Sequence, residues 1–342
     1  MTIPGKDDRL IPYGATNLGM DLGLLDGFYV PNDLFFVRSN AAIPDIDPDT
    51  WTLTIDGEVE RSVELSLADL QAMPQVELAS FLECTGNGRS RFQPAAEGTT
   101  WKNDAAGNAV WGGVPLPEIL ALAGVEPSGV EVVSQGGDLE TMQRGIPVSL
   151  AQEPSTLIAL RMNGAPLPVA HGFPARLIVP GWAGIASTKW LTRLTVRDEP
   201  FVGPFQGDLY VVYDADGTPV QPVREMPVKS IIDSPDEGAT VTPLSVASGF
   251  AWSGYGGIAR VETSLDNGES WQPAVIVEEA GPYSWVRWEQ RLELDPGRHE
   301  ILARATDRRG LQQPWKAFWN QKGYFMNEIQ RVAFTVGEER WG

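Results

Sequence analysis

Short runs of alternating apolar and polar side chains, each closed by a turn signal, dominate the chain. Trp51-Thr-Leu-Thr-Ile-Asp-Gly alternates and ends at Asp56-Gly57, which predicts a strand and a turn. Ser66-Leu-Ala-Asp69 has the form of a capping box, so a short helix is expected from Leu67 to Pro74. The run Val76-Glu-Leu-Ala-Ser-Phe-Leu reads as a second strand, with Cys84 on the loop that leaves it. Pro117-Glu-Ile-Leu-Ala-Leu-Ala-Gly124 predicts another short helix, with proline in its first turn and glycine past its end. Val130-Glu-Val-Val-Ser is a strand that delivers Gly136, Gly137 and Asp138 to a loop. Leu177-Ile-Val and Leu191-Thr-Arg-Leu-Thr-Val are strands on either side of the loop from Pro180 to Lys189. Strands and short helices mix here without a repeated βαβ unit, so this half is α+β.

Residues 1–27 show little periodicity and are expected to form an irregular arm, followed by a catalytic domain over 28–222 and a second domain over 223–342. Asp198 to Pro227, rich in Pro, Gly and Asp, reads as a linker. Beyond it, Lys229-Ser-Ile-Ile, Ala259-Arg-Val-Glu-Thr-Ser, Trp285-Val-Arg-Trp and Glu300-Ile-Leu-Ala-Arg-Ala are short strands. Asn267-Gly268 is a hairpin signal between them and Asp295-Pro-Gly297 a turn. That spacing predicts an all-β, immunoglobulin-like sandwich.

Length and charge narrow the function. At 342 residues the chain has room for two cores. A net charge of -19 argues against nucleic acid as a partner, so an anionic ligand has to find a local basic pocket in an acidic shell. One cysteine excludes an intrachain disulfide, a Cys-x-x-Cys-His haem site and an iron–sulfur cluster. No apolar run approaches a membrane span, and the start Met-Thr-Ile-Pro-Gly-Lys lacks an apolar signal core, so a cytoplasmic location is expected.

That cysteine lies in Phe81-Leu-Glu-Cys84-Thr-Gly86-Asn87-Gly-Arg89-Ser-Arg91. A thiolate is a soft metal ligand or a nucleophile, and glycines and arginines beside it suit a functional sulfur better than an inert core position. Cys84-Thr-Gly-Asn-Gly-Arg resembles the cysteine loop of the sulfite oxidase family, in which the cysteine ligates molybdenum held by a pterin dithiolene. Further segments match in order: Val30-Pro-Asn-Asp-Leu-Phe-Phe-Val-Arg38, Gly107-Asn-Ala-Val-Trp-Gly-Gly-Val, Met162-Asn-Gly-Ala-Pro-Leu-Pro, His171-Gly-Phe-Pro-Ala-Arg176, Ser187-Thr-Lys189-Trp-Leu, Pro227-Val-Lys-Ser and Trp319-Asn-Gln-Lys-Gly.

The resemblance implies an α+β molybdopterin-binding domain followed by a sandwich that mediates homodimerisation. It implies that Cys84 is the metal ligand. Phe36, Val37, Arg38, Ser39 and Asn40 would bind the cofactor, and Asp138 would accept from the pterin ring. His171, Arg176, Ser187, Thr188 and Lys189 would clamp its phosphate end. Arg38 and Arg89 would face a small oxyanion substrate such as sulfite, and Tyr210 would hydrogen-bond near the metal. Electrons would pass to a separate acceptor, a cytochrome or oxygen, with no haem in this chain. On the residues alone, Asp138 is a turn carboxylate, Tyr210 a packed aromatic and His299 part of the sandwich. Four positions depart from the family pattern: Asn40 for histidine, Gly88 and Ala186 for arginine, and Glu97 for lysine, with Arg91 and Arg144 available to compensate. These leave open a redirected substrate, as in a sulfur dehydrogenase. Other classes also remain: a cysteine hydrolase using Cys84, His171 and Asp138, and a non-catalytic module.

Overall fold

A computed structural model describes residues 3–338. It comprises two compact units, neither of them contiguous. One is built from Met1–Met20, Tyr29–Arg224 and Trp319–Tyr324, the other from Asp21–Phe28, Glu225–Phe318 and Phe325–Gly342.

The first unit packs two five-stranded sheets on one core. The first sheet runs in the order Ala165–Pro166, Leu157–Met162, Ala106–Pro115, Val76–Glu83, with Arg176–Ile178 also pairing Leu157–Met162. The second runs Val63–Ser66, Thr52–Gly57, Leu191–Arg197, Glu131–Gly136, Gln143–Pro147. Leu191–Arg197 pairs Thr52–Gly57 in parallel and Glu131–Gly136 antiparallel. Inward residues of both sheets, among them Leu53, Ile55, Val114, Ile158, Leu177 and Leu194, fill the space between with the helix residues Leu116, Ile119 and Leu120. The expected helices are Leu67–Ala72, with the Ser66–Asp69 capping box formed, and Leu116–Ala123. The strand Val76–Glu83 ends at Cys84, Glu131–Gly136 ends two residues before Asp138, and Leu191–Arg197 begins two residues after Lys189. Three strand ends therefore bring the candidate residues to one place.

One expectation is corrected. Residues 198–227 are not a bare linker. Pro204–Asp208 forms one wide helical turn and Val211–Tyr213 pairs with Pro219–Pro222, with Phe205, Tyr210, Val212 and Val223 buried. The anchor is Arg144, fully buried, which donates to the carbonyls of Phe205 (2.6 Å) and Val223. It is therefore spent inside the fold and does not replace a missing substrate cation. Of the expected amino-terminal arm, residues 3–20 belong to the first unit and Asp21–Phe28 to the second. Ile11–Pro12 pairs Leu18–Gly19, Leu18 bridges to Val37, and the Tyr13 hydroxyl donates to Asp104 at 2.6 Å.

The second unit is a sandwich. One sheet holds Lys229–Ser234, Leu244–Trp252, Val286–Glu293 and Val275–Glu279. The other holds Thr240–Val241, Gln330–Val336, Gly297–Asp307, Ile258–Ser264 and Gln272–Pro273. Val228, Ala251, Val261, Trp288, Ile301 and Phe334 form its core. Asn267 and Gly268 both take positive φ (58° and 85°) in the loop that joins Ile258–Ser264 to Gln272–Pro273, longer than the two-residue hairpin expected. His299 stays at the sandwich surface, its Nε2 at 2.8 Å from the Asp295 carbonyl.

Candidate active site

Two cavities in the first unit meet at Cys84. The first is lined by Phe36, Arg38, Ser39, Asn40, Cys84, Asp138, His171, Arg176, Ser187, Thr188, Lys189 and Tyr210, together with Phe35, Leu82, Met142 and Trp190. The second is lined by Arg38, Cys84, Thr85, Arg89, Glu97, Thr99, Trp101, Tyr210, Lys322 and Tyr324. Arg38, Cys84, Thr85 and Tyr210 border both.

In the first cavity a basic cluster is buried with few counter-charges. Arg176 donates to the carbonyls of His171 (3.0 Å) and Ser187 (2.9 Å) and lies over the Trp111 ring, while its Nε has no partner. Lys189 donates to Ser39 Oγ at 2.7 Å and the Ala170 carbonyl at 3.0 Å. His171 is buried, with Nε2 2.8 Å from Lys6 Nζ. Burial first, then the neighbouring cations, push His171 and Lys189 well below their ordinary pKa values. Burial alone brings Arg176 to about 9. Burial raises Asp138, whose Oδ1 is buried without a hydrogen bond.

A buried acceptor and a buried guanidinium nitrogen without partners are costly, so both fit a ligand that brings N–H donors at one end and negative charge at the other. Cys84 offers one soft donor, and the described residues hold no group of three His, Cys, Asp or Glu able to bind a metal. A metal at this sulfur therefore needs its other ligands from a small molecule, and a pterin dithiolene with a phosphate end meets each demand.

The second cavity is arranged differently. Arg89 is buried, with Nε donating to the Lys322 carbonyl (2.9 Å), Nη1 to the Thr99 carbonyl (2.8 Å), and its plane over Tyr324. A Cβ at Gly98 would stand 2.8 Å from Nη1, and one at Gly323 would stand 2.7 Å from its Cγ, so glycine at both positions lets the chain close on this side chain. Arg38 donates to the Ser39 carbonyl and to Asn40 Oδ1 at 2.7 Å. Tyr210 stacks on Tyr324 with ring centres 5.8 Å apart, and burial raises its phenol, which stays protonated as a donor.

Of the expected site residues, Val37 alone lines neither cavity. It is fully buried, and its N–H and C=O are both paired with Leu18. Arg91 also lines neither. Two of the four departures have a conformational reason. Gly88 sits at φ 86°, where a side chain is strained, and Ala186 is buried in the core. Lys322 and Tyr324 were missed because their segment, Trp319–Tyr324, follows the sandwich in sequence yet belongs to the first unit. The lysine in Trp319-Asn-Gln-Lys322-Gly was the available signal. No hydrogen bond links Cys84 to His171, whose Nε2 faces Lys6, so the nucleophile–base pair of a cysteine hydrolase is not formed.

Residues 40–205 match the family model of the oxidoreductase molybdopterin binding domain, and residues 220–337 that of the Mo-co oxidoreductase dimerisation domain. Human mitochondrial sulfite oxidase is 35% identical over 92% of this chain, a match that takes in 63% of that protein's length, less than two thirds. Sulfite oxidase of Arabidopsis thaliana is 30% identical over 92% of this chain and 90% of its own. Among solved structures, the sulfane dehydrogenase SoxCD from Paracoccus pantotrophus superposes with a TM-score of 0.85 at 28% identity, covering 98% of this chain and 90% of that one. Among the described residues no helix is long and apolar enough to cross a membrane.

Proposed function

Because the chain belongs to the sulfite oxidase family of molybdopterin-dependent oxidoreductases, we propose that it oxidises a small sulfur oxyanion, sulfite to sulfate, passing two electrons to a separate acceptor such as a cytochrome or oxygen. The observation that carries this reading is the position of Cys84 on the wall of both cavities. A group seated in the first cavity and tied to this sulfur would face the second. The bound molybdenum–pterin group would supply the oxygen-atom transfer and the two-electron redox change.

The chain's own residues do the rest. Cys84 would bind as thiolate, and Asp138 Oδ1 would accept from the pterin's N–H donors. Arg176, Lys189, His171, Ser187 and Thr188 would hold the phosphate end, which in turn would keep Arg176 and Lys189 charged. Arg38, Arg89 and Lys322 draw the anion in from an acidic exterior and orient it. Tyr210 donates from the wall between the two cavities. Lys322 answers part of the charge lost at Asn40, Gly88, Ala186 and Glu97.

A second reading, a sulfane dehydrogenase, is favoured by Glu97 on the wall of the substrate cavity, which penalises a free dianion, and by the likeness to SoxCD. The sandwich is proposed to pair two copies.

The test is elemental and pterin analysis of protein from a host able to make the cofactor, with absorption followed during anaerobic addition of sulfite. About one molybdenum per chain with prompt bleaching is expected. Molybdenum without bleaching by sulfite but with bleaching by a sulfane donor selects the second reading, and no molybdenum overturns both.

A further inference from the structure

We propose that Lys6, in the amino-terminal arm, is a further ligand for the phosphate end of the cofactor and closes the site from outside the residues matched to the molybdopterin-binding model. This rests on the pterin reading above.

The Lys6 ammonium reaches back from the chain start to lie 2.8 Å from His171 Nε2, and it donates to the Asn32 carbonyl at 2.6 Å. Asn32 is itself fixed, donating to the Met162 carbonyl at 3.0 Å and accepting from Asn163 at 3.0 Å. The amine is therefore held by two separate segments, one of which is fixed by a third. It forms no ion pair with a carboxylate, although the chain carries 45 Asp and Glu against 26 Lys and Arg. A lysine that merely pinned the arm would stabilise it better on a carboxylate at the surface. Instead it adds a cation to a cluster that already holds His171, Arg176 and Lys189, with Asp138 the one carboxylate lining that cavity. Cations that outnumber their neighbouring carboxylates, here Asp33 and Asp138, are destabilising unless an anion joins them, and the cluster matches a dianion with several acceptor oxygens. Burial brings the Lys6 amine down to about 7 against the raising pull of Asp33. A phosphate beside it reverses that cost. The family-model match begins at residue 40, so this contact lies beyond it.

The experiment compares the full-length wild type with Lys6→Met, Lys6→Gln and Lys6→Arg, all made in a cofactor-producing host. Pterin is quantified by the fluorescence of its oxidised form, and its loss over time is followed after gel filtration. A roughly tenfold or greater increase in pterin loss for Lys6→Met, restored by Lys6→Arg, supports the proposal. Lys6→Gln keeps a donor to the Asn32 carbonyl and stands in should Lys6→Met not fold. A folded neutral variant that retains pterin as wild type does overturns the role of Lys6 while leaving the cofactor reading intact. Wild-type protein without pterin overturns that reading and this proposal with it.

Discussion

The two cavities that meet at Cys84 treat their polar groups in opposite ways. In the first, Asp138 Oδ1 and Arg176 Nε are buried without partners, and His171, Lys189 and Arg176 are pushed toward neutrality. In the second, Arg89 is finished: two carbonyls, an aromatic face and close-fitting glycines hold it. A resident ligand completes the protein, so its site is left incomplete and the ligand's binding energy offsets the desolvation. A substrate that comes and goes needs groups already in place, because ordering them at each turnover raises the barrier.

The largest break in that comparison is at the junction. Cys84→Ser exchanges a soft thiolate for a hydroxyl that stays protonated at neutral pH, so sulfite-dependent turnover should fall by about two orders of magnitude or more. Stopped-flow reduction measures this, and a rate within tenfold of wild type would remove the sulfur from the chemistry. Next in size is the finished cavity. Gly98→Ala places a methyl group against Arg89 Nη1 at a backbone φ of 102°, and it should raise KM for the anion by roughly tenfold while leaving pterin content unchanged. Equal loss of pterin would show that the two cavities are not separable.

Much of the first cavity was legible because each of its residues sits in a short local motif at a strand end. Cys84 follows Val76–Glu83, Asp138 follows Glu131–Gly136, and Lys189 precedes Leu191–Arg197. The sandwich was legible for the same reason, through alternation and the Asn267-Gly268 turn. What was hidden is long-range. Lys322 and Tyr324 line the cavity near Arg89 from a position more than two hundred residues away, and Lys6 reaches His171 from the chain start. The hairpin after Pro204 looked like a linker because proline, glycine and aspartate dominate it, yet a buried Arg144 ties it down, and no local pattern announces such a contact.

Asp138→Leu separates the two kinds of site more finely. It removes a carboxylate whose Oδ1 has no hydrogen bond and whose burial outweighs the help of the Leu139 N–H and Lys189, so the cofactor-free form should gain about 1 kcal/mol in denaturant unfolding. The cofactor-loaded form should lose several-fold in pterin retention. Destabilisation of the cofactor-free form would mean that Asp138 is satisfied within the protein and is not waiting for a ligand.

The smallest effect is in the pH dependence. Burial lowers the Lys6 amine to about 7 in the folded protein, against 10.5 for an exposed lysine, so between these values the unfolded chain binds the extra proton. Stability of the cofactor-free form should therefore rise with pH over roughly 7 to 9, with Lys189 acting in the same direction, before the raised phenols of Tyr210 and Tyr324 enter. With cofactor bound, a phosphate beside these amines restores their charge, the folded and unfolded chains then bind protons alike, and the slope should vanish. Chemical denaturation of both forms at pH 7 and pH 9 reads the difference. Equal slopes would place the cluster's charge under the control of the fold alone and remove the reason for calling that cavity incomplete.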